Sequence, residues 1–148
     1  MNLEFRQVKT DEDLQQCFYI RKEVFVIEQG VPQDLEYDEY DVTPDAAHHA
    51  LVLVDGKPAG AARWIPYKEN TAKLQRVAVL KEYRGLKVGN SLILGMENEA
   101  QGLGYEESLL DAQCHAEVFY NKLGYSTISD EPFDDAGIPH VRMTKKLN

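Results

Sequence analysis

Leu74-Gln75-Arg76-Val77-Ala78-Val79-Leu80-Lys81-Glu82-Tyr83-Arg84-Gly85-Leu86-Lys87-Val88-Gly89 reads as a strand that feeds a helix through a short turn with two glycines. The strand is expected over residues 71–79 and the helix over residues 87–101, ended by Gly102 and Gly104. A strand entering a helix in this way leaves backbone N–H groups free, and the first helical turn carries the positive end of the helix dipole. Together they form a cradle for a pyrophosphate. Gly85 and Gly89 let the backbone approach a ligand with no Cβ in between, and Arg84 and Lys87 add positive charge. Two other phosphate motifs are missing: the turn has neither a Gly-Lys-Ser/Thr ending nor Gly-x-Gly-x-x-Gly. Read by itself, the turn is equally compatible with glycine used only for strand-to-helix packing.

Outward from this stretch, toward the N-terminus, Pro66 to Asn70 form a turn, and a strand over residues 58–65 precedes it. Asp55-Gly56 is a two-residue hairpin signal joining that strand to another over residues 50–54. Upstream lies an acidic stretch with Asp34, Glu36, Asp38, Glu39, Asp41 and Asp45, expected as a solvated loop. Leu14, Cys17, Phe18, Val24 and Phe25 recur at helical spacing, with Thr10 as cap and Gly30 and Pro32 as stop. Leu3, Phe5 and Val8 mark a first short strand. Toward the C-terminus come a buried strand over residues 108–112 and a short helix over residues 115–123, closed by Gly124. Two strands near residues 125–129 and 139–146 follow, separated by an acidic loop. The order β-α-β-β-β-α-β-α-β-β predicts an α+β fold, a mixed central β-sheet flanked by helices, with a parallel crossover within residues 74–112. One domain over residues 1–148 is expected.

The formal charge of −9 argues against a nucleic-acid partner, because no excess of Lys and Arg is available to neutralise phosphates. It suits a cationic substrate such as an amine, and equally suits simple solubility. Cys17 and Cys114 are read as buried or partly buried thiols of a reducing compartment rather than a disulfide. The opening residues do not form a signal peptide and no apolar run reaches membrane-spanning length, so a cytoplasmic protein is expected, with no membrane partner. His48, His49 and His115 lack metal-ligand spacing, and no metal is expected.

The chain resembles the Gcn5-related N-acetyltransferase (GNAT) superfamily, and within it the small bacterial ElaA- and YjcF-like group. Arg84-Gly85-Leu86-Lys87-Val88-Gly89 resembles the family signature Gln/Arg-x-x-Gly-x-Gly/Ala, with Lys87 where most members carry the middle glycine. Leu74 to Val79 resembles the family's central strand. Ala112 to Tyr125 resembles its second conserved segment, and Arg21 to Gln29 and Asp135 to Val141 are similar to subgroup stretches. The resemblance implies the GNAT (acyl-CoA N-acyltransferase) fold and acetyl-CoA as cosubstrate. It implies that Val77, Ala78 and Val79 pair with the pantetheine arm. Arg84, Gly85, Leu86, Lys87, Val88, Gly89 and Asn90 then hold the pyrophosphate, and Gln113 contacts the coenzyme. It places Tyr120 where the family sets its general acid, against the coenzyme sulfur. Homodimers are common among such folds.

The chemistry sets further demands. An alkylammonium has a pKa of about 10.4, so freeing its lone pair at neutral pH costs about 4–5 kcal/mol. A base or desolvation must help. Glu28 at the end of the first helix, the acids of the loop, and His140 at the start of a strand are the candidates. Arg21 and Arg63 either bind an acidic substrate group or pair with neighbouring carboxylates. The expected function is transfer of an acetyl group to a primary amine of a small molecule or peptide by direct attack. A non-catalytic module that binds coenzyme A or acyl-coenzyme A is the alternative.

Overall fold

The computed structural model describes residues 1–147; Asn148, the end of the expected domain, lies outside the described residues. Strand β1 (Leu3–Gln7) leads into helix α1 (Asp11–Arg21). Thr10 Oγ1 accepts from the Asp13 N–H at 3.1 Å, and Asp11, Glu12 and Asp13 sit at the positive end of the dipole. The helix does not continue unchanged to Gly30. Lys22–Glu28 forms a π-helical segment, where the Gln29 N–H reaches back five residues to Val24 O at 3.1 Å. This wider turn brings Val24, Phe25, Glu28 and Gln29 onto the wall of one cleft.

The acidic stretch is not the solvated loop its composition suggests. Helix α2 (Gln33–Glu36) and a 3₁₀ turn (Glu39–Asp41) order it, and Asp38 and Asp41 close a capping box. Three arginines from elsewhere in the chain pair with Glu36, Asp38 and Asp41, which no local pattern reveals, while Asp34, Glu39 and Asp45 stay exposed as expected.

Strands β2 (His48–Val54) and β3 (Lys57–Lys68) are longer than expected. They meet at Asp55 (φ 50°) and Gly56 (φ 82°), both left-handed as a two-residue hairpin turn needs. Strand β4 (Thr71–Val79) feeds helix α3 (Val88–Gly102), and β5 (Glu107–Gln113) follows. A 3₁₀ turn (Cys114–Ala116) and helix α4 (Glu117–Lys122) share the span expected as one helix. Strand β6 (Ser126–Thr127) is short. The acidic loop after it holds an unexpected strand, β7 (Phe133–Asp135), which turns through Ala136 (φ 53°) and Gly137 (φ 81°) into β8 (Ile138–Lys146).

All eight strands form one sheet in the order β1-β2-β3-β4-β5-β8-β6, with β7 on β8. Alternation along β2 shows how the sheet is covered. Ala50, Val52 and Val54 join a core with Leu92, Ile93 and Met96 of α3, while Leu51 and Leu53 join one with Leu14, Cys17 and Ile20 of α1. Each such aliphatic side chain contributes about 1.5–3 kcal/mol when fully buried.

The centre of the sheet is where regularity fails. β4 and β5 are parallel but pair only over Thr71–Leu74 and Glu107–Leu110. Beyond Leu74, β4 stays with β3, and Asp111 to Gln113 of β5 pair with β8. Between Gln75 and Ala78, β4 also carries one extra residue against β3, and Arg76 at φ 57° forms this bulge. The bulge directs Gln75 and Arg76 together toward α2, whereas Leu74, Val77 and Val79 pack toward α3.

Candidate active site

The gap between β4 and β5 opens into a cleft of about 1210 Å³. Its first wall is the edge of β4 beyond Leu74, whose backbone groups have no strand beside them on the β5 side. This edge runs directly into the turn before α3. The first α3 hydrogen bond there joins the Ser91 N–H to Lys87 O at 3.0 Å, so the amides of Val88, Gly89 and Asn90 have no partner inside the helix. The turn is built on two left-handed residues, Gly85 (φ 81°) and Lys87 (φ 70°). Lys87 thus adopts a glycine conformation at a cost of about 1–2 kcal/mol. Gly89 serves a different purpose from the one its sequence position suggests. A Cβ there would lie 3.1 Å from the Phe119 ring, so its absence lets α4 close against α3.

Arg84 extends from the turn and is held by Glu28, with both guanidinium–carboxylate contacts at 2.6 Å. Its Nε donates to Val79 O at 3.1 Å. The bond from Arg84 holds the Glu28 carboxyl below the usual range, which makes it a weak base. On the facing wall, Gln113 at the end of β5 exchanges amide hydrogen bonds with Gln29 at 2.9 and 3.2 Å. His115 Nε2 meets Gln113 Oε1 at 2.6 Å.

Tyr120 of α4 lines the same cleft and is 8% exposed. Burial alone pushes its hydroxyl above the ordinary phenol range, so it keeps its proton at neutral pH. His140 is opposite Gln113 in the β5–β8 ladder. Its Nδ1 is engaged by Ile138 O at 2.7 Å, and its ring stacks on Phe133 at 6.1 Å between centroids. The remaining nitrogen, Nε2, is the one left to act.

Beneath the cleft lies a buried set of charges. Arg21 Nη1 and Nη2 donate to the two Asp41 oxygens at 2.7 and 2.9 Å, and Arg21 Nε donates to Glu36 Oε1. Arg63 donates to Asp38 at 2.8 and 2.7 Å and to Asp41 at 2.8 Å, and its Nε donates to Gln75 Oε1 at 3.0 Å. Arg76 from the bulge donates to Glu36 O at 3.2 Å. Burial by itself would raise the Asp41 carboxyl, but the Arg21 bonds and the Arg63 charge hold it well below the usual range. Asp38 is lowered in the same way by Arg63. Glu36 is raised, because burial outweighs its single bond from Arg21. Of the two readings open for Arg21 and Arg63, the pairing with neighbouring carboxylates is the one observed.

Glu28, Tyr120, His140 and every residue expected to touch the coenzyme line this cleft except Leu86, which packs half-buried against the core of α3, while of the loop acids only Glu36 lines it. Three cleft residues escaped sequence reading. Gln29 and Arg76 lie in stretches that resemble the family but were given no role, and Glu36 was one acid among several. Among the described residues, no group of three or more His, Cys, Asp or Glu side chains is placed to hold a metal ion. Cys17 and Cys114 are both free, and burial pushes the Cys17 thiol up to about 12. No helix among the described residues is long and apolar enough to cross a membrane.

A central strand that parts from its parallel neighbour and runs into an open helix start defines a class of acyl-transferring proteins, and comparison with known proteins agrees. Residues 7–147 match the acetyltransferase (GNAT) domain, and the chain belongs to that family. It is similar to the uncharacterized N-acetyltransferase YjcF of Bacillus subtilis, 42% identical over 137 residues, which are 93% of this chain and 95% of YjcF. The crystal structure of Escherichia coli ElaA superposes with a TM-score of 0.83 at 25% identity, covering 97% of this chain and 99% of ElaA. The PaiA N-acetyltransferase of Thermoplasma acidophilum, solved in complex with coenzyme A, shares the fold. Its TM-score is 0.72 at 20% identity, over 99% of both chains. The chain is therefore an acetyl-CoA-dependent N-acetyltransferase of the ElaA- and YjcF-like group.

Proposed function

We propose that the protein transfers the acetyl group of acetyl-CoA directly to a primary amine of a small molecule or a peptide. The observation that carries this reading is the unpaired edge of β4, continuous with the open amides at the start of α3 and faced by Tyr120. Backbone groups of Val77, Ala78 and Val79 hold the pantetheine arm as an added strand would. The amides of Val88, Gly89 and Asn90, with Lys87 and Arg84, receive the pyrophosphate. Gln113 exchanges its Gln29 bond for one to the coenzyme.

The amine nitrogen attacks the thioester carbon, and a free N–H on the bulged strand stabilises the oxyanion. His140 Nε2 takes the proton released from nitrogen. Tyr120 gives its proton to the departing sulfur. Glu28 has a different part: it orients Arg84 until phosphate replaces it.

The experiment is thiol release from acetyl-CoA against a panel of amines. Tyr120→Phe is expected to lower kcat by roughly 10²-fold while acetyl-CoA still raises the melting temperature. Unchanged turnover with lost binding would remove Tyr120 from the acid role. Coenzyme binding with no release for any amine is the signature of the non-catalytic module.

A further inference from the structure

One buried polar atom of the cleft wall is unaccounted for. Glu36 is 2% exposed, and its Oε1 accepts from Arg21. Its Oε2 is buried and has no hydrogen-bond partner. An orphaned carboxylate oxygen in this setting is costly unless a ligand completes it. Glu36 borders the cleft beside Leu35, Gln75 and Arg76, on the side away from the phosphate turn. Arg21 and Arg76 both face its other oxygen, Oε1, so the missing partner is a hydrogen-bond donor at Oε2, which an ammonium group supplies.

The rest of the cleft limits what that ammonium belongs to. The chain carries −9 overall, yet four acids (Glu28, Glu36, Asp111, Asp135) and four bases (Lys73, Arg76, Arg84, Lys87) line the cleft. Glu28 is held by Arg84 and Asp111 by Arg142. Asp135 is exposed on the β7 hairpin. A polycation therefore finds no second buried carboxylate beside Glu36. What it finds is apolar surface: Phe25, Val31, Leu35 and Ile138 line the cleft, and Phe133 backs His140.

We propose that the acceptor is a single primary amine on an apolar body, whose ammonium group docks on Oε2 of Glu36. This rests on the acetyltransferase reading and assigns its substrate class. Leu35, 57% exposed at the cleft, meets the apolar body.

The test is thiol release by the whole protein with phenethylamine and n-hexylamine against spermidine and an aminoglycoside. The expected kcat/KM is at least about tenfold higher for the apolar amines. Glu36→Gln is expected to raise KM for phenethylamine roughly tenfold to a hundredfold and leave KM for acetyl-CoA unchanged. Leu35→Glu, at an exposed position, is expected to cut the apolar preference by roughly tenfold. It decides the matter if Glu36→Gln does not fold.

Three results would overturn the proposal: a preference for spermidine, an unchanged amine KM in a folded Glu36→Gln, or an unchanged preference in Leu35→Glu. Release with spermidine but not with the apolar amines would overturn the substrate class and keep the acetyltransferase reading. Coenzyme binding with no release from any amine would overturn both.

Discussion

Two arginine–carboxylate assemblies border the same cleft, and they differ in burial. Arg84 and Glu28, at the phosphate end, are 41% and 40% exposed. Arg21 with Glu36 and Asp41, beneath the proposed acceptor end, are 1–4% exposed. Chemically the pairs are alike, but water treats them differently. An exposed pair contributes about 0–1 kcal/mol and parts readily. Removing one partner of a buried pair strands a charge in a poor solvent and costs about 3–5 kcal/mol. The Arg84 pair is thus able to trade partners with a ligand at the proposed phosphate end, while the Arg21 assembly is held in place before anything binds.

The sharpest way to break this comparison is Arg21→Met, which removes the only guanidinium bonded to the Glu36 carboxylate and leaves Asp41 with Arg63 alone. A loss of about 3–5 kcal/mol is expected in urea denaturation. A loss under 1 kcal/mol would put the two assemblies in one class.

Acid should act on the same assembly. Asp38 and Asp41 have folded-state values below the usual carboxylate range. Their contribution is complete above the unfolded value of about 4 and is lost as pH falls through the lowered folded values. Glu36, raised by burial, has the opposite sign: its charge opposes folding at neutral pH, and protonation relieves it. The expected net effect is a decline in stability below about pH 4, of roughly 2 kcal/mol for Asp41. Asp41→Asn should be less stable at pH 7 and flatter in acid, which denaturation at several pH values reads directly.

The exposed pair predicts small numbers. Glu28→Gln should change stability by less than about 1 kcal/mol. It should tighten acetyl-CoA binding a few-fold by calorimetry, because Arg84 no longer has to be released. A large loss of stability would show that this pair is structural. Smallest of all, Lys87→Gly relieves a left-handed non-glycine residue and should stabilise the fold by about 1 kcal/mol. It should also weaken coenzyme binding and reduce its salt dependence. If affinity is unchanged, Lys87 does not reach the phosphates.

The legible parts of the fold were those set by near neighbours. Asp55-Gly56, the Thr10 cap, and the glycine stops after the helices are local signals, and local physics sets them. The π-helical segment at Lys22–Glu28 was not legible. It follows the ordinary apolar spacing of a helix, and only the packing around it adds a residue to the turn. The β7 hairpin was hidden in an acidic segment, with Ala136 in a conformation more usual for glycine. The site divides along the same line. Tyr120 was expected from the family resemblance, His140 from its residue type, and the turn from Arg84 to Asn90 from both its glycines and that resemblance. Gln29 and Glu36 depend on partners 84 and 15 residues distant.

By itself, the sequence determined a mixed sheet and a strand feeding an open helix start, because each follows from periodicity, dipoles and turn chemistry within a few positions, while its coenzyme-contacting residues were expected from family resemblance. Tertiary structure alone decided which charges are free. Arg84 and Arg21 are the same residue type, and only burial makes one exchangeable and the other fixed. It also decided that part of an acidic stretch lies under the cleft, with Glu36, Asp38 and Asp41 paired to arginines from α1, β3 and β4. The physical reason is that a charge's strength depends on how much water it keeps, and that is set by residues distant in the chain.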